Sequence, residues 1–410
     1  MTVLDASRSL LSPDLIADPF PFYKELQEQD PVHWSGRHRA WLVTKYEDVR
    51  TAFNDPRLSV NRIGPYFDRR VPEEDKERLR EAFAILESWL VFTDAPVHTR
   101  LRGIVQTAFT PRTVARQSEA IASIVADAAR NLRRNAHIGT VDVVRHFARP
   151  ISATVMAHML NIDPAHNDRI DRWTDDLAVF MGGDVDATDR NERVAGAVSE
   201  MLRFLEETIE NYSGDAESSV IGGLIAAENE GEKLTKHELL ATCVLLLFGG
   251  YRTTACSITN ALNLILRHPD IRQRLVDDPE LVKPAVDEFM RYEGHARIVP
   301  RFATADIELR DRTIRAGERV LLVTAAANRD PDQFPNPDEI VIDRKPNAHL
   351  TLGSGIHYCL GGPLSRAEQQ SAIRTFLTEF PRARLHSNGP VDWEVRMLTR
   401  TPQSLLVDLG

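Results

Sequence analysis

Between Lys236 and Arg267 apolar residues recur at Leu239, Leu240, Cys243, Val244 and Leu247, then at Ile258, Leu262, Ile265 and Leu266, until "RHPD" ends the run. This one-sided spacing predicts a single long helix, interrupted or loosened at Gly249 and Gly250. Further helical patterns fall near 20–29, 112–135, 142–160, 190–211, 279–292 and 364–379. Strand-like pieces are short: "PVHWS", "AWLVT", "FATADIEL", "ERVLLVTAA" and "SLLVDL". The proline-rich "NRDPDQFPNPDEI" marks an irregular stretch over 328–340. The expectation is a mainly α fold with a β-rich portion near 31–62, 297–325 and 390–410. No linker, charge block or repeat offers a cut, so one domain over 1–410 is expected.

An apolar content of 42% supports a large core, and the net charge of −10 argues against non-specific nucleic-acid binding. The N-terminus lacks the pattern of a secretory signal, and the greasiest run, Val244 to Phe248, is too short to cross a bilayer. No membrane partner is expected. Three cysteines make a disulfide framework implausible and point to a reducing cytosol, hence a cytoplasmic protein. Arg252, in the middle of the apolar helix, is a side chain that stays charged and is rarely buried without a partner.

The most informative stretch is "HLTLGSGIHYCLGGPLSRAEQQ". Gly353, Gly355, Gly361 and Gly362 surround Cys359, and a helix pattern begins directly after, with Pro363 suited to its first turn. A thiol at a helix N-terminus meets free backbone N–H groups and the positive dipole end, which favour the thiolate. Glycines let the backbone approach a flat ligand closely, and a thiolate is a soft ligand suited to iron. Standing alone, such a cysteine reads more readily as a small buried apolar residue.

It does not stand alone. The segment "LGSGIHYCLG" resembles the haem loop F-G-x-G-x-H-x-C-x-G of the cytochrome P450 superfamily, matching at Gly353, Gly355, His357, Cys359 and Gly361 and departing at Leu352. "DEFMRYEG" resembles the family's E-x-x-R, which implies that Glu288 and Arg291 tie their helix to the irregular segment containing Arg344. "DAPVHTRLRGIVQTAFTPR" resembles the helix that reaches the haem edge, giving His98 and Arg102 as partners of the haem carboxylates; Arg301 and His357 occupy the positions of two more. The resemblance runs from about residue 14 to the C-terminus. It implies a helical bundle around a buried haem b, with Cys359 as iron ligand. The implied activity is that of a haem-thiolate monooxygenase, which inserts one atom of O2 into a small or medium organic substrate. Ferredoxin and ferredoxin reductase would supply electrons to a monomeric enzyme.

The family's oxygen-side helix reads A-G-x-E/D-T-T; here Gly249, Gly250, Tyr251, Arg252, Thr253 and Thr254 match it. Thr253 stands where the family's alcohol helps protonate bound oxygen, and Arg252 replaces the acid. Three readings stay open. The arginine points away and pairs with an acid of a neighbouring helix; or it clamps a carboxylate-bearing substrate; or the chemistry needs no ordinary proton relay, as in a peroxygenase, aromatic coupling or nitration. A non-catalytic haem sensor or carrier is the alternative of another class. By family position the substrate pocket takes Arg62, Trp89, Val91 and Phe92 from a loop over 60–92, with Phe180, Leu246 and Gly250. His295, Arg297, Ile298, Met397 and Leu398 complete that set.

Overall fold

The computed structural model describes residues 7–109, 111–136, 139–182, 188–214, 219–229 and 231–410. The chain begins with helices α1 (Pro13–Ala17), α2 (Phe20–Gln29), α3 (Tyr46–Asn54), α4 (Ile63–Arg70), α5 (Glu73–Glu87) and α6 (Val97–Val105). Next come α7 (Pro111–Arg116), α8 (Ser118–Asn135), α9 (Arg149–Met159), α10 (Asn167–Met181), α11 (Arg190–Glu210) and α12 (Val220–Ala226). The central helix α13 (Lys236–Arg267) is followed by α14 (Pro269–Asp277), α15 (Val282–Glu293), α16 (Thr324–Ala327) and α17 (Gly362–Glu379).

The strands are β1 (Val32–Ser35), β2 (Ala40–Val43), β3 (Leu58–Ser59), β4 (Thr140–Asp142), β5 (Glu228–Asn229) and β6 (Glu232–Lys233). Beyond α15 lie β7 (Val299–Ala303), β8 (Ile307–Leu309), β9 (Arg312–Ile314), β10 (Arg319–Leu322), β11 (Arg384–Leu385) and β12 (Leu406–Asp408). The fold is mainly α with a small β portion, as the sequence implied.

Helix α13 starts with a capping box: the Thr235 hydroxyl accepts from the Glu238 N–H, and the Glu238 carboxylate accepts from the Thr235 N–H. The helix is long and apolar enough to cross a membrane by length and composition alone, with a mean hydropathy of 1.4 over an 18-residue stretch. That stretch is 56% buried inside the protein, and Gly249, Gly250 and Arg252 interrupt its apolar run. Its apolar positions, among them Leu240, Val244, Leu247, Ile258 and Leu262, are buried, and the helix packs on α9, α15 and α17. It runs unbroken through both glycines, correcting the predicted interruption. The reason is packing: a Cβ on Gly250 would collide with Sδ of Met156 on α9, so the glycine allows the two helices to approach.

The larger sheet has the order β1-β2-β10-β7-β3, with β10 parallel to β2 and the other pairs antiparallel. Its two faces bury different clusters. Val43, Val320 and Leu322 pack with Val49 and Phe53 of α3; Ala40, Leu42, Leu321 and Val323 pack with Leu10, Leu15 and Phe22 near α1 and α2. Arg301 pairs with Val320 and shares the first face, whereas Arg319 pairs with Phe302, which also pairs with Ser59, on the second.

Two further expectations are corrected. The supposed loop over 60–92 contains α4 and α5, whose apolar residues Leu79, Phe83 and Leu86 are buried on one side. Residues 140–142, at the edge of a predicted helix, form β4 on β12; a π-helical turn, Val144–Ala148, then leads into α9.

Candidate active site

Cys359 sits in the loop that runs into α17. Gly353 and Gly355 hold φ values of 75° and 69°, the left-handed region that favours glycine. The Cys359 N–H donates to the Leu352 carbonyl at 2.9 Å, closing the loop under the thiol. The N–H groups of Gly361 and Gly362 point at the sulfur and lower its pKa, as do Arg102 and Arg366, but burial outweighs them and pushes the thiol up. The helix start therefore stabilises a thiolate only in part; a metal cation bound there would supply the rest.

His357 and His98 bring their ring centroids to 4.1 Å. His98, on α6, is 1% exposed, and neither ring nitrogen has a hydrogen-bond partner. Burial holds His98 down to about 4 and His357 to about 3, with Arg102 adding to both. Arg301 is buried over the Phe53 ring and, through burial, lowered to about 10. Buried donors and cations so short of acceptors fit a ligand with carboxylates. Among the described residues no group of three or more His, Cys, Asp or Glu could hold a metal ion. A metal on Cys359 therefore needs its remaining ligands from a prosthetic group, and an iron porphyrin with two carboxylates fits both observations.

On α13, the Thr253 hydroxyl donates to the Gly249 carbonyl at 2.6 Å. Ser257, one turn later, lies 3.0 Å from the Thr253 carbonyl and 3.0 Å from His295 Nδ1, placing His295 beside this part of α13. Burial holds His295 down to about 4.

Arg252 pairs with Asp175 of α10 and with Glu394 at 3.0 Å. Arg396 also holds Glu394, at 2.7 Å, and donates to the Ala178 carbonyl. Next door, Tyr251 donates to Asp171. The first of the three readings is the observed one. Two acids occupy the guanidinium, which supports the ion-pair reading over a grip on a substrate carboxylate.

Trp89 stacks between Phe92 and Phe248 at centroid distances of 5.9 and 5.6 Å, and the Arg62 guanidinium lies 4.7 Å from the Phe92 ring centre. Phe180 makes edge contacts with Tyr66 and Phe83. Leu246 is partly buried against the main core, and Val91 is exposed.

Five of the pocket candidates pack against other parts of the protein in this structure. Gly250 faces Met156. Arg297, 1% exposed, donates to the Tyr23 hydroxyl at 2.5 Å and the Leu15 carbonyl at 3.2 Å, anchoring α1 and α2. Ile298 and Met397 are buried in the same N-terminal cluster, and Leu398 packs against it. The N-terminal helices pack across Ile298, Met397 and Leu398.

The buried Arg291 makes two 2.8 Å bonds to Glu288, and its other donors reach the carbonyls of Asn328, Pro337 and Glu339. Arg344 lies 3.1 Å from Glu288, whose carboxylate also accepts from Asn347 and the Val341 N–H. This network joins α15 to the irregular segment ahead of the cysteine loop. Sequence reading missed Asp175, Glu394, Ser257, Phe248 and Arg319. Only Arg319 carried a local signal, a charge at the start of an otherwise apolar strand.

Comparison with known proteins agrees with this geometry. Residues 24–407 match the family described as Cytochrome P450, and the chain belongs to that family. It is accordingly an oxidoreductase of the monooxygenase type, with a haem-iron cofactor and redox partners. The mycinamicin IV hydroxylase/epoxidase of Micromonospora griseorubida is 35% identical over 396 residues, covering 94% of each chain. Among solved structures, CalO2 superposes with a TM-score of 0.88 at 28% identity over 99% of both chains. P450BioI, solved in complex with an acyl carrier protein carrying hexadec-9Z-enoic acid, gives 0.86 at 29% identity, covering 97% of this chain and 100% of its own.

Proposed function

We propose that Cys359 would hold the iron of haem b as a thiolate, and that the enzyme inserts one oxygen atom of O2 into an organic substrate, with electrons from a ferredoxin and its reductase. Bound haem supplies the activation and cleavage of O2, which consumes two electrons and two protons and releases water. The protein contributes the thiolate and the carboxylate partners His98, Arg102, Arg301 and His357. Thr253 provides the hydroxyl nearest the oxygen side, held in place by the Gly249 carbonyl. Arg252 takes no proton-relay role, since a guanidinium does not titrate at neutral pH and this one is held by Asp175 and Glu394. Its engagement also counts against a substrate carboxylate held at that position.

One observation carries the reading: a half-buried thiol in a loop held by left-handed glycines, whose His357 stacks on a histidine with two buried nitrogens that lack partners. The test is the spectrum of the reduced protein with carbon monoxide. The red-shifted Soret band of thiolate-ligated haem is the expected result, and Cys359→Ala should abolish it. Wild-type protein carrying haem with a nitrogen or oxygen fifth ligand would end the proposal.

A further inference from the structure

We propose that Arg62 and Arg319 form a second carboxylate-binding site at the edge of the haem pocket, and that it takes the carboxylate of the substrate. The inference deepens the monooxygenase reading above and rests on it. Arg62 is half-buried at the start of α4 and faces no acid among the described residues; its only recorded contact is the Phe92 ring. Burial, with Arg319 and then Arg301 nearby, lowers it to about 10, the behaviour of a cation short of counter-charge. Arg319 is half-buried, and its Nε is buried with no hydrogen-bond partner. It shares the sheet face of Ser59, three residues before Arg62.

Charge balance shows why the haem alone does not account for these groups. Arg102 and Arg301 match the two haem carboxylates, and a ferric porphyrin with a thiolate ligand is otherwise neutral. The acid near this cluster is Asp94, which faces Arg301, His98 and His357 and is already held by the Ser59 hydroxyl and the Val60 N–H, so it offsets one of the four arginine charges at most. One positive charge remains over, enough for a monoanion. The planar fork of arginine donors matches a carboxylate bidentately.

The surroundings fit the remainder of such a ligand. From Arg62 the stack Phe92, Trp89, Phe248 leads as an apolar wall to α13, and the Trp89 Nε1, on a side chain 1% exposed, has no partner. Phe248 lies five residues before Thr253, about 7.5 Å along the helix axis. A substrate anchored by its carboxylate at Arg62 thus extends along aromatic rings toward the oxygen side of the pocket. Arg252 does not compete, being paired with Asp175 and Glu394.

The test titrates the holoenzyme with dodecanoate and with its methyl ester, following the Soret shift, for wild type, Arg62→Gln and Arg319→Gln. In parallel, haem transfer to apomyoglobin reports whether the arginines serve the haem's own carboxylates. Wild type should bind dodecanoate about ten- to a hundredfold tighter than the ester, the range expected for a charged hydrogen bond. Either variant should lose most of that preference while haem transfer keeps its wild-type rate. Wild-type enzyme with a normal thiolate spectrum and no preference for the carboxylate overturns the inference without touching the haem-ligation reading. So does a variant that sheds haem faster, since its arginine then belongs to the haem carboxylates. A missing thiolate spectrum in wild type fails the haem-ligation reading instead, and this inference with it.

Discussion

Replacing Arg252 by alanine separates a structural ion pair from a substrate grip. The guanidinium is 12% exposed and meets Glu394, 15% exposed, at 3.0 Å, and Asp175, whose side chain is 43% exposed. Water screens the Asp175 leg, which contributes little. The Glu394 leg is desolvated, but Arg396 at 2.7 Å and Arg149 at 3.9 Å keep that carboxylate partnered after the substitution. The cost therefore falls below that of an orphaned buried charge, at about 1–2 kcal/mol. In thermal unfolding that corresponds to a downward shift of about 1–3 °C for a chain of this size. A double-mutant cycle with Glu394→Gln, read from urea unfolding of the holoenzyme, should return a coupling of about 1 kcal/mol, and a cycle with Asp175→Asn a smaller one. Dodecanoate affinity should stay within about threefold of wild type. Unaltered stability together with a loss of dodecanoate affinity of about tenfold or more would refute the reasoning, because the guanidinium would then be working on the ligand.

Glu368 on α17 is 1% exposed, its Oε2 lacks a partner, and burial, outweighing the Ser152 hydroxyl, holds its carboxyl well above the usual carboxylate range. The folded state keeps a proton that the unfolded chain releases, so this contribution is fully present below the ordinary carboxylate pKa and is lost as pH rises toward the folded value. Glu368→Gln should raise the urea midpoint at about pH 8 and leave it nearly unchanged at about pH 4; an equal effect at both would count against a neutral buried acid. Arg291→Ala leaves Glu288 buried and only partly compensated by Arg344, with an expected cost of about 3–5 kcal/mol, visible as lost soluble haem protein; full haem incorporation at a wild-type urea midpoint would contradict it. Thr253→Ala should divert electrons into hydrogen peroxide, measured per NADPH consumed with surrogate redox partners. Tight coupling in that variant would remove Thr253 from proton delivery.

The reach of sequence patterning can be seen element by element. Helices α2 and α13 were legible to the residue, because their buried positions recur at helical spacing and strong signals end them. Helix α5 was not: "EEDKERLREAFAILE" begins with a run of charges, and its buried residues cluster in the second half, so the apolar stripe is short. The strand β4 escaped for another reason. Three residues carry too little alternation to be told from a helix edge, and pairing with β12, far along the chain, decides the outcome.

At the site, the glycine spacing around Cys359 and the presence of a charge at Arg252 were written in the chain, since both are local facts about residue type and order. What Arg252 does was not, because its partners lie 77 and 142 residues away and only the packing of α10 and the C-terminal segment on α13 brings them together. The same holds for Arg62 and Arg319, separated by most of the chain and joined through a sheet. Sequence alone thus determined which chemistry the protein carries; tertiary structure decided which charges are neutralised and which are left free, because charge compensation in a low-dielectric interior depends on distance in space.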